Sequence, residues 1–76
     1  MESKDLTYKL IGAAMEVHNN LGSGFQELIY QRALAFELEQ LKIMYVREQD
    51  IAVQYKGLEI GRRRVDFLID NRLVIE

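Results

Sequence analysis

The 76-residue chain contains no cysteine and no proline, and none of its apolar runs approaches the roughly 20 residues of a membrane-spanning helix. Without cysteine, neither a disulfide framework nor a thiolate metal site can form. The chain also has no proline-rich linker and no internal repeat, and it begins without the basic-then-apolar pattern of a secretion signal. These absences predict a cytoplasmic protein that does not enter a membrane.

Length and composition favour one small folded domain over residues 1–76. A hydrophobic content of 49% with 29% charged residues excludes a disordered chain. The net charge of -2 neither supports nor excludes nucleic-acid binding, which depends on where basic residues cluster. Here Arg62, Arg63 and Arg64 are consecutive, and Arg72 follows shortly after them.

The first forty residues show helical periodicity. Residues from about 5 to 20 carry apolar side chains at the spacing of an amphipathic helix, and the stretch from Asn19 to Gly24 predicts its end. Ser23 and Gln26 stand as in a capping box and predict a second helix that runs to about Lys42. This second helix is apolar around much of its circumference, so we expect it to be the central buried helix, with Glu27 in a largely buried stripe.

From about residue 45 the apolar pattern alternates, as in β-strands. Lys56-Gly57 predicts a turn, and residues 58–69 form a long second strand in which Gly61 marks a bulge or bend. Asp70-Asn71 predicts the next turn, and residues 72–76 a third strand. The expected fold is therefore α+β: two N-terminal helices followed by a three-stranded antiparallel β-meander.

Three acidic residues are candidates for a site: Glu27 on the second helix, Asp66 inside a strand and Glu76 at the end of the next strand. Carboxylates that converge in a partly dry site repel one another unless a cation or a proton neutralises them, and Mg²⁺ prefers such oxygen ligands. The spacing alone leaves open a metal site or a solvated, salt-bridged set. Similarly, Arg64 and Arg72 are candidates for phosphate contacts, with ion pairing to acidic neighbours as the alternative.

Two further side chains have alternative interpretations. Tyr30, one turn beyond Glu27, is either a hydrogen-bond partner that orients this carboxylate or an ordinary core aromatic. His18, near the end of the first helix, fits a capping or packing role better than a catalytic one.

The motifs extend over most of the chain. The chain resembles the Gly-x-x-Glu-x-x-Tyr protein family in Gly24, Glu27 and Tyr30, and this family is similar to the PD-(D/E)XK nuclease superfamily. The flanking segments that carry the resemblance are Val17-His18, Leu21-Gly22-Ser23, Ala33-Leu34, Glu37-Leu38, Val53-Gln54-Tyr55-Lys56-Gly57 and Arg64-Val65-Asp66.

The resemblance implies a nuclease-like domain for metal-dependent hydrolysis of phosphodiesters in DNA or RNA. It implies Asp66 and Glu76 as ligands of Mg²⁺ or Mn²⁺ and Glu27 as a further catalytic carboxylate. In that superfamily a lysine two residues after the motif glutamate assists the attacking water, and here that position lies beyond Glu76. We therefore expect the N-terminal part of a truncated restriction-endonuclease-like core, inactive as it stands, that self-associates through its incomplete sheet. The alternative is a non-catalytic interaction or dimerisation module on a degenerate nuclease fold.

Overall fold

The computed structural model describes residues 3–76, which form a helical unit up to residue 43 and a sheet unit from residue 44 onward. The elements in order are α1 (Ser3–Leu21), α2 (Glu27–Gln40), β1 (Tyr45–Tyr55), β2 (Leu58–Ile69) and β3 (Leu73–Ile75). The strands form one antiparallel sheet in the order β1-β2-β3. The predicted α+β class, with two helices before a three-stranded meander, is confirmed. Among the described residues, no helix is both long enough and apolar enough to cross a bilayer.

Helix α1 buries one face and ends at a glycine. Leu6, Ala13 and Val17, spaced by seven and four residues, lie on one side and are nearly inaccessible to solvent. After the last turn Gly22 takes a left-handed φ of 70°, and its N–H donates a 2.8 Å hydrogen bond to the carbonyl of His18. This arrangement satisfies a carbonyl that the helix leaves open, and it confirms the predicted glycine stop.

The start of α2 differs from the prediction. The helix begins at Glu27 after Gln26 as N-cap, and no side chain caps it, so the expected capping box of Ser23 and Gln26 is wrong. The reason is the loop before it. Gly22 and Gly24 both adopt positive φ, so the chain is still turning at Ser23 and enters the helix only at Gln26.

Helix α2 is also less buried than its composition predicted. Only Ala35 and Leu38 are fully buried, whereas the side chains of Leu28 and Phe36 are exposed. Glu27 is exposed as well, because it projects from the first turn of the helix. The expectation of a central buried helix is wrong: Ile29, Ala33 and Leu34 are half-buried, and Leu28 and Phe36 face solvent.

The sheet is built by two tight turns and one bulge. Lys56 and Gly57 join β1 to β2 with φ values of 51° and 82°, and Asp70 and Asn71 join β2 to β3 with 51° and 56°. The ladder runs from Val53 opposite Gly61 to Gln54 opposite Glu59, which leaves Ile60 as an extra residue on β2. Both predicted turns and the irregularity at Gly61 are confirmed.

In the second half of β2, the side chains on one face of the sheet are buried and those on the other face are half-buried. Val65, Phe67 and Ile69 are at most 1% exposed, while Asp66 and Leu68 between them are half-buried. Because strand side chains alternate, the odd-numbered residues line the buried face of the sheet and Asp66 belongs to the opposite face.

Candidate metal centre

Asp66 is held in place by its neighbours in β2. Val65 and Phe67 anchor the strand through the buried face, so the carboxylate of Asp66 is directed to the other side with little freedom of backbone movement. It remains half-buried there. A carboxylate in such a position is accessible to a small ion while being partly shielded from bulk water.

The register between β2 and β3 relates Asp66 to Glu76. Phe67 pairs with Ile75 and Leu68 with Val74, and the residues that directly follow this ladder at its open end are Asp66 and Glu76. Side chains of directly opposed residues in an antiparallel pair share a face, with Cβ atoms about 5 Å apart. The strand itself ends at Ile75, and Glu76 lies one residue beyond the last pair. The sheet therefore places Asp66 in β2 and Glu76 directly after the neighbouring strand β3.

The carboxylate of Glu76 has a partner that the sequence did not predict. A guanidinium nitrogen of Arg63 forms an ion pair with Oε1 of Glu76, and the two side chains are 51% and 42% exposed. Strand alternation places Arg63 on the face of Val65, away from Asp66, so pattern reasoning did not connect it with this site. No signal in the sequence identifies the pair, because it depends on where the short strand β3 ends.

Glu27 lies in the other compact unit. It is the first residue of α2, and its carboxylate accepts a long hydrogen bond of 3.4 Å from the side-chain amide of Gln31 one turn later. Across residues 3–76, no three acidic or histidine side chains form a group able to hold a metal ion. Within the sheet unit, the register places Asp66 of β2 close to the end of β3, which Glu76 follows.

The arginines predicted to contact phosphate are engaged by acidic residues. Arg64 lies 3.6 Å from a carboxylate oxygen of Glu48, and Arg72 lies 2.8 Å from one of Asp70. All four side chains are more than a third exposed, and exposed pairs of this kind contribute about 0–1 kcal/mol. Such weak pairs are readily exchanged for a phosphate group.

Glu48 is a second feature that the sequence did not indicate. It sits in β1 between two register pairs, Arg47 with Phe67 and Gln49 with Val65, and Asp66 occupies the corresponding position of β2. Its φ is 52°, a left-handed conformation that is uncommon for a residue other than glycine. The other non-glycine residues with positive φ lie in turns or at the end of α2, so Glu48 differs from them in lying inside a strand.

Tyr30 has a clear role that is neither of the two expected ones. Its hydroxyl donates a 2.7 Å hydrogen bond to the carbonyl of Gly22 and accepts one of 3.2 Å from the N–H of Phe25. The rings of Phe25 and Tyr30 also meet edge to face at 6.2 Å. Tyr30 thus fixes the loop that leads into α2, and His18 contributes its backbone carbonyl to the same turn.

Comparison with known proteins places the chain in a family. A search of curated proteins and a search of solved structures each found no significant similarity. The family model described as the PD-(D/E)XK nuclease superfamily matches residues 4–76, almost the full length. The match covers both helices and the meander that bears Asp66 and Glu76. The chain therefore belongs to the PD-(D/E)XK nuclease superfamily.

Proposed function

We propose that this chain supplies the acidic metal ligands of a nuclease site that hydrolyses phosphodiesters in DNA or RNA. The observation that carries the proposal is the β2–β3 register, in which Asp66 and Glu76 come directly after the last pair, Phe67 with Ile75. Membership of the PD-(D/E)XK nuclease superfamily supports nucleic acid as the substrate. The motif residues Gly24, Glu27 and Tyr30 further support assignment to the Gly-x-x-Glu-x-x-Tyr group, and the lack of cysteine supports a cytoplasmic setting.

The donor set fits Mg²⁺ or Mn²⁺. Asp66 in β2 and Glu76 after β3 offer hard carboxylate oxygens, which is the ligand type that these ions prefer. When bound there, a divalent cation lowers the pKa of a coordinated water and offsets the negative charge that develops on the phosphoryl oxygens. Asp66 would hold the ion from the rigid central strand, and Glu76 would close the other side.

The remaining predicted residues have supporting roles in this proposal. Arg64 and Arg72 would bind backbone phosphates after leaving Glu48 and Asp70, because guanidinium groups pair well with phosphate oxygens. The resemblance also implies Glu27, in the helical unit, as a catalytic carboxylate, and this role stays a prediction.

Metal binding tests this function directly. In a titration with Mn²⁺ followed by NMR, paramagnetic broadening should centre on the amide signals around residues 66 and 76. Asp66→Asn keeps the size of the side chain and removes one ligand charge, so Mn²⁺ affinity should fall by about tenfold or more, equivalent to ~1.4 kcal/mol.

Asp50→Asn is the matched control. Asp50 is an exposed carboxylate of the same sheet, paired in register with Arg64 two rungs from Asp66, so its removal changes the net charge equally without touching the proposed ligands. Broadening centred elsewhere, or equal affinity losses in the two variants, would refute the assignment of Asp66.

A second function, self-association, is favoured by a separate observation. Val46, Leu68 and Val74 form a continuous apolar row across all three strands on the face opposite Phe67. Val46 is 46% exposed and Val74 37%, so the row is open to solvent. We propose a second copy of this chain as the partner of this face in the non-catalytic alternative, because Asp66 belongs to the same face and would be covered.

A further inference from the structure

We propose that helix α1 pairs with α1 of a second copy of this chain through a seam of exposed apolar side chains. The seam consists of Tyr8, Ile11 and Met15, which are 65%, 51% and 59% exposed. These residues follow one another at intervals of three and four, so they lie along one side of the helix. The seam belongs to the helical unit, so its pairing is separate from the proposed hydrolysis and from the apolar row of the sheet.

The seam lies opposite the face that α1 buries. Leu6, Ala13 and Val17 form the buried face, with 1%, 3% and 7% exposure. At 3.6 residues per turn, the middle of this face and the middle of the seam are roughly 170° apart around the helix. An amphipathic surface helix has one apolar stripe and a polar opposite side. Helix α1 has two apolar stripes, and packing within the described residues accounts for only one of them.

Gly12 independently indicates that another backbone approaches this side of α1. Glycine weakens a helix interior relative to alanine, because it has more conformational freedom in the unfolded chain. Within residues 3–76, a Cβ atom added to Gly12 meets no neighbouring group within 4 Å, so packing inside the chain does not require glycine there. Gly12 directly follows Ile11 and lies beside the seam. The missing side chain allows a second helix to approach closely.

The charges of α1 favour a second copy in antiparallel orientation. Residues 3–11 contain Lys4, Asp5 and Lys9, which give this half a net charge of +1. Residues 12–21 contain Glu16 and the neutral His18, which give a net charge of -1. Antiparallel pairing places each half beside the oppositely charged half of the partner, and the two helix dipoles then oppose one another. Parallel pairing would place like charges together.

The pairing should be weak and reversible. One pair of helices buries less surface than the roughly 800 Å² per partner of a standard interface. The tests therefore cover a wide range of protein concentration. All variants carry Val74→Lys in addition, so that the apolar row of the sheet does not contribute to the association.

Disulfide cross-linking tests the orientation, because the chain contains no cysteine of its own. Lys4→Cys and His18→Cys change exposed residues at the two ends of the seam. Antiparallel pairing brings position 4 near position 18 of the partner and keeps two copies of either position roughly 15 Å or more apart. An equal mixture of the two proteins, oxidised mildly, should therefore give an excess of the mixed dimer. Intact mass spectrometry without reductant distinguishes it from the homodimers, and no excess of the mixed dimer overturns the proposal.

Lys9→Cys and Glu16→Cys form the matched control pair. Both positions are exposed, and antiparallel pairing brings them to the same level along the helix axis. They lie, however, roughly 110–130° around the helix from the middle of the seam. This mixture should show no excess of the mixed dimer. An excess equal to that of the first pair shows contact without a defined side and overturns the seam.

Sedimentation velocity measures the strength of the association. Ile11→Asp should raise the dissociation constant by about tenfold or more, because it places a charge in the middle of the seam. Gly12→Ala should raise it by about fivefold or more, because the added methyl group obstructs the second helix. The same methyl group should raise the melting temperature of dilute protein, since alanine favours the helix. Unchanged or tighter association in either variant overturns the inference.

The inference and the proposed function fail separately. A monomer at all concentrations in the Val74→Lys protein removes the pairing of α1, whereas Mn²⁺ binding at Asp66 is measured without reference to it. Absence of Mn²⁺ binding leaves the cross-linking result unaffected. Thermal melts followed by circular dichroism verify that the variants are folded, which the exposure of the substituted positions favours.

Discussion

At the scale of single residues, Tyr30 connects the end of α1 with the start of α2. Its hydroxyl bridges the carbonyl of Gly22 and the N–H of Phe25, two backbone groups of a loop whose glycines adopt positive φ. A hydroxyl that both donates and accepts satisfies two groups that the helices leave open. The Tyr of this motif therefore stabilises the loop rather than contacting Glu27.

Removing this hydroxyl should destabilise the protein. Tyr30→Phe keeps the ring and its contact with Phe25 but loses both hydrogen bonds, each worth roughly 0.5–1.5 kcal/mol. We expect the free energy of unfolding, measured by urea denaturation with circular dichroism at 222 nm, to fall by about 1 kcal/mol or more. Tyr8→Phe is the control: Tyr8 is 65% exposed, so its change should stay within about 0.5 kcal/mol. Equal stabilities of the two variants would contradict the role of Tyr30.

At the scale of elements, the end of α2 is determined by a residue in an unfavourable conformation. Lys42 has a φ of 59°, its N–H donates to the carbonyl of Glu39, and the N–H of Ile43 donates to that of Leu38 at 2.9 Å. This is a Schellman-type helix stop with lysine where glycine is usual. Leu38 and Ile43 are both buried, so the stop also directs an apolar residue inward.

Replacement of lysine by glycine should raise the stability of the protein at position 42 and lower it at position 9. Lys42→Gly relieves a left-handed conformation that costs about 1–2 kcal/mol, partly offset by the greater freedom of glycine in the unfolded chain, for a net gain of about 0.5 kcal/mol. Lys9→Gly, in the exposed middle of α1, should cost about 1 kcal/mol. The urea denaturation midpoints of the two variants, compared with that of the wild type, show whether each substitution raises or lowers the stability. A loss of stability in Lys42→Gly would show that its side chain contributes more than the strain removes.

At the scale of the whole molecule, the chain is small and leaves much apolar surface in contact with water. A 76-residue protein buries a modest fraction of its surface, so exposed aliphatic and aromatic residues strongly influence its tendency to self-associate. The row formed by Val46, Leu68 and Val74 crosses every strand of the sheet, and β1 and β3 are its edges. Edges with open backbone groups add a second route to pairing.

Self-association should respond to a charge placed in this row. Light scattering across a wide concentration range should show the wild type passing from monomer to dimer. Val74→Lys should shift the transition to higher concentration, because it places a charge in the apolar row. Leu58→Lys changes an equally aliphatic residue, 66% exposed at the β1–β2 hairpin, and should leave the transition unchanged. A wild-type monomer at all concentrations would rule out this mode of association.

Local sequence patterns determined the order of secondary-structure elements and the positions of the turns in this protein. The order of elements, the two turns at Lys56-Gly57 and Asp70-Asn71, and the bulge beside Gly61 follow from periodicity and from residues that tolerate positive φ. The spaced motifs also identified the superfamily, which the match over residues 4–76 confirms. These properties depend on short stretches of chain, where each residue acts through its own backbone preference.

Only the tertiary structure decided which faces are buried and which charges meet. Composition indicated a buried α2, yet Phe36 and Glu27 are exposed, because burial depends on what packs against each face. The pairing of Arg63 with Glu76 joins residues far apart in the chain and contradicts the alternation that separated them. Long, flexible charged side chains select partners through space, and no local pattern encodes that choice.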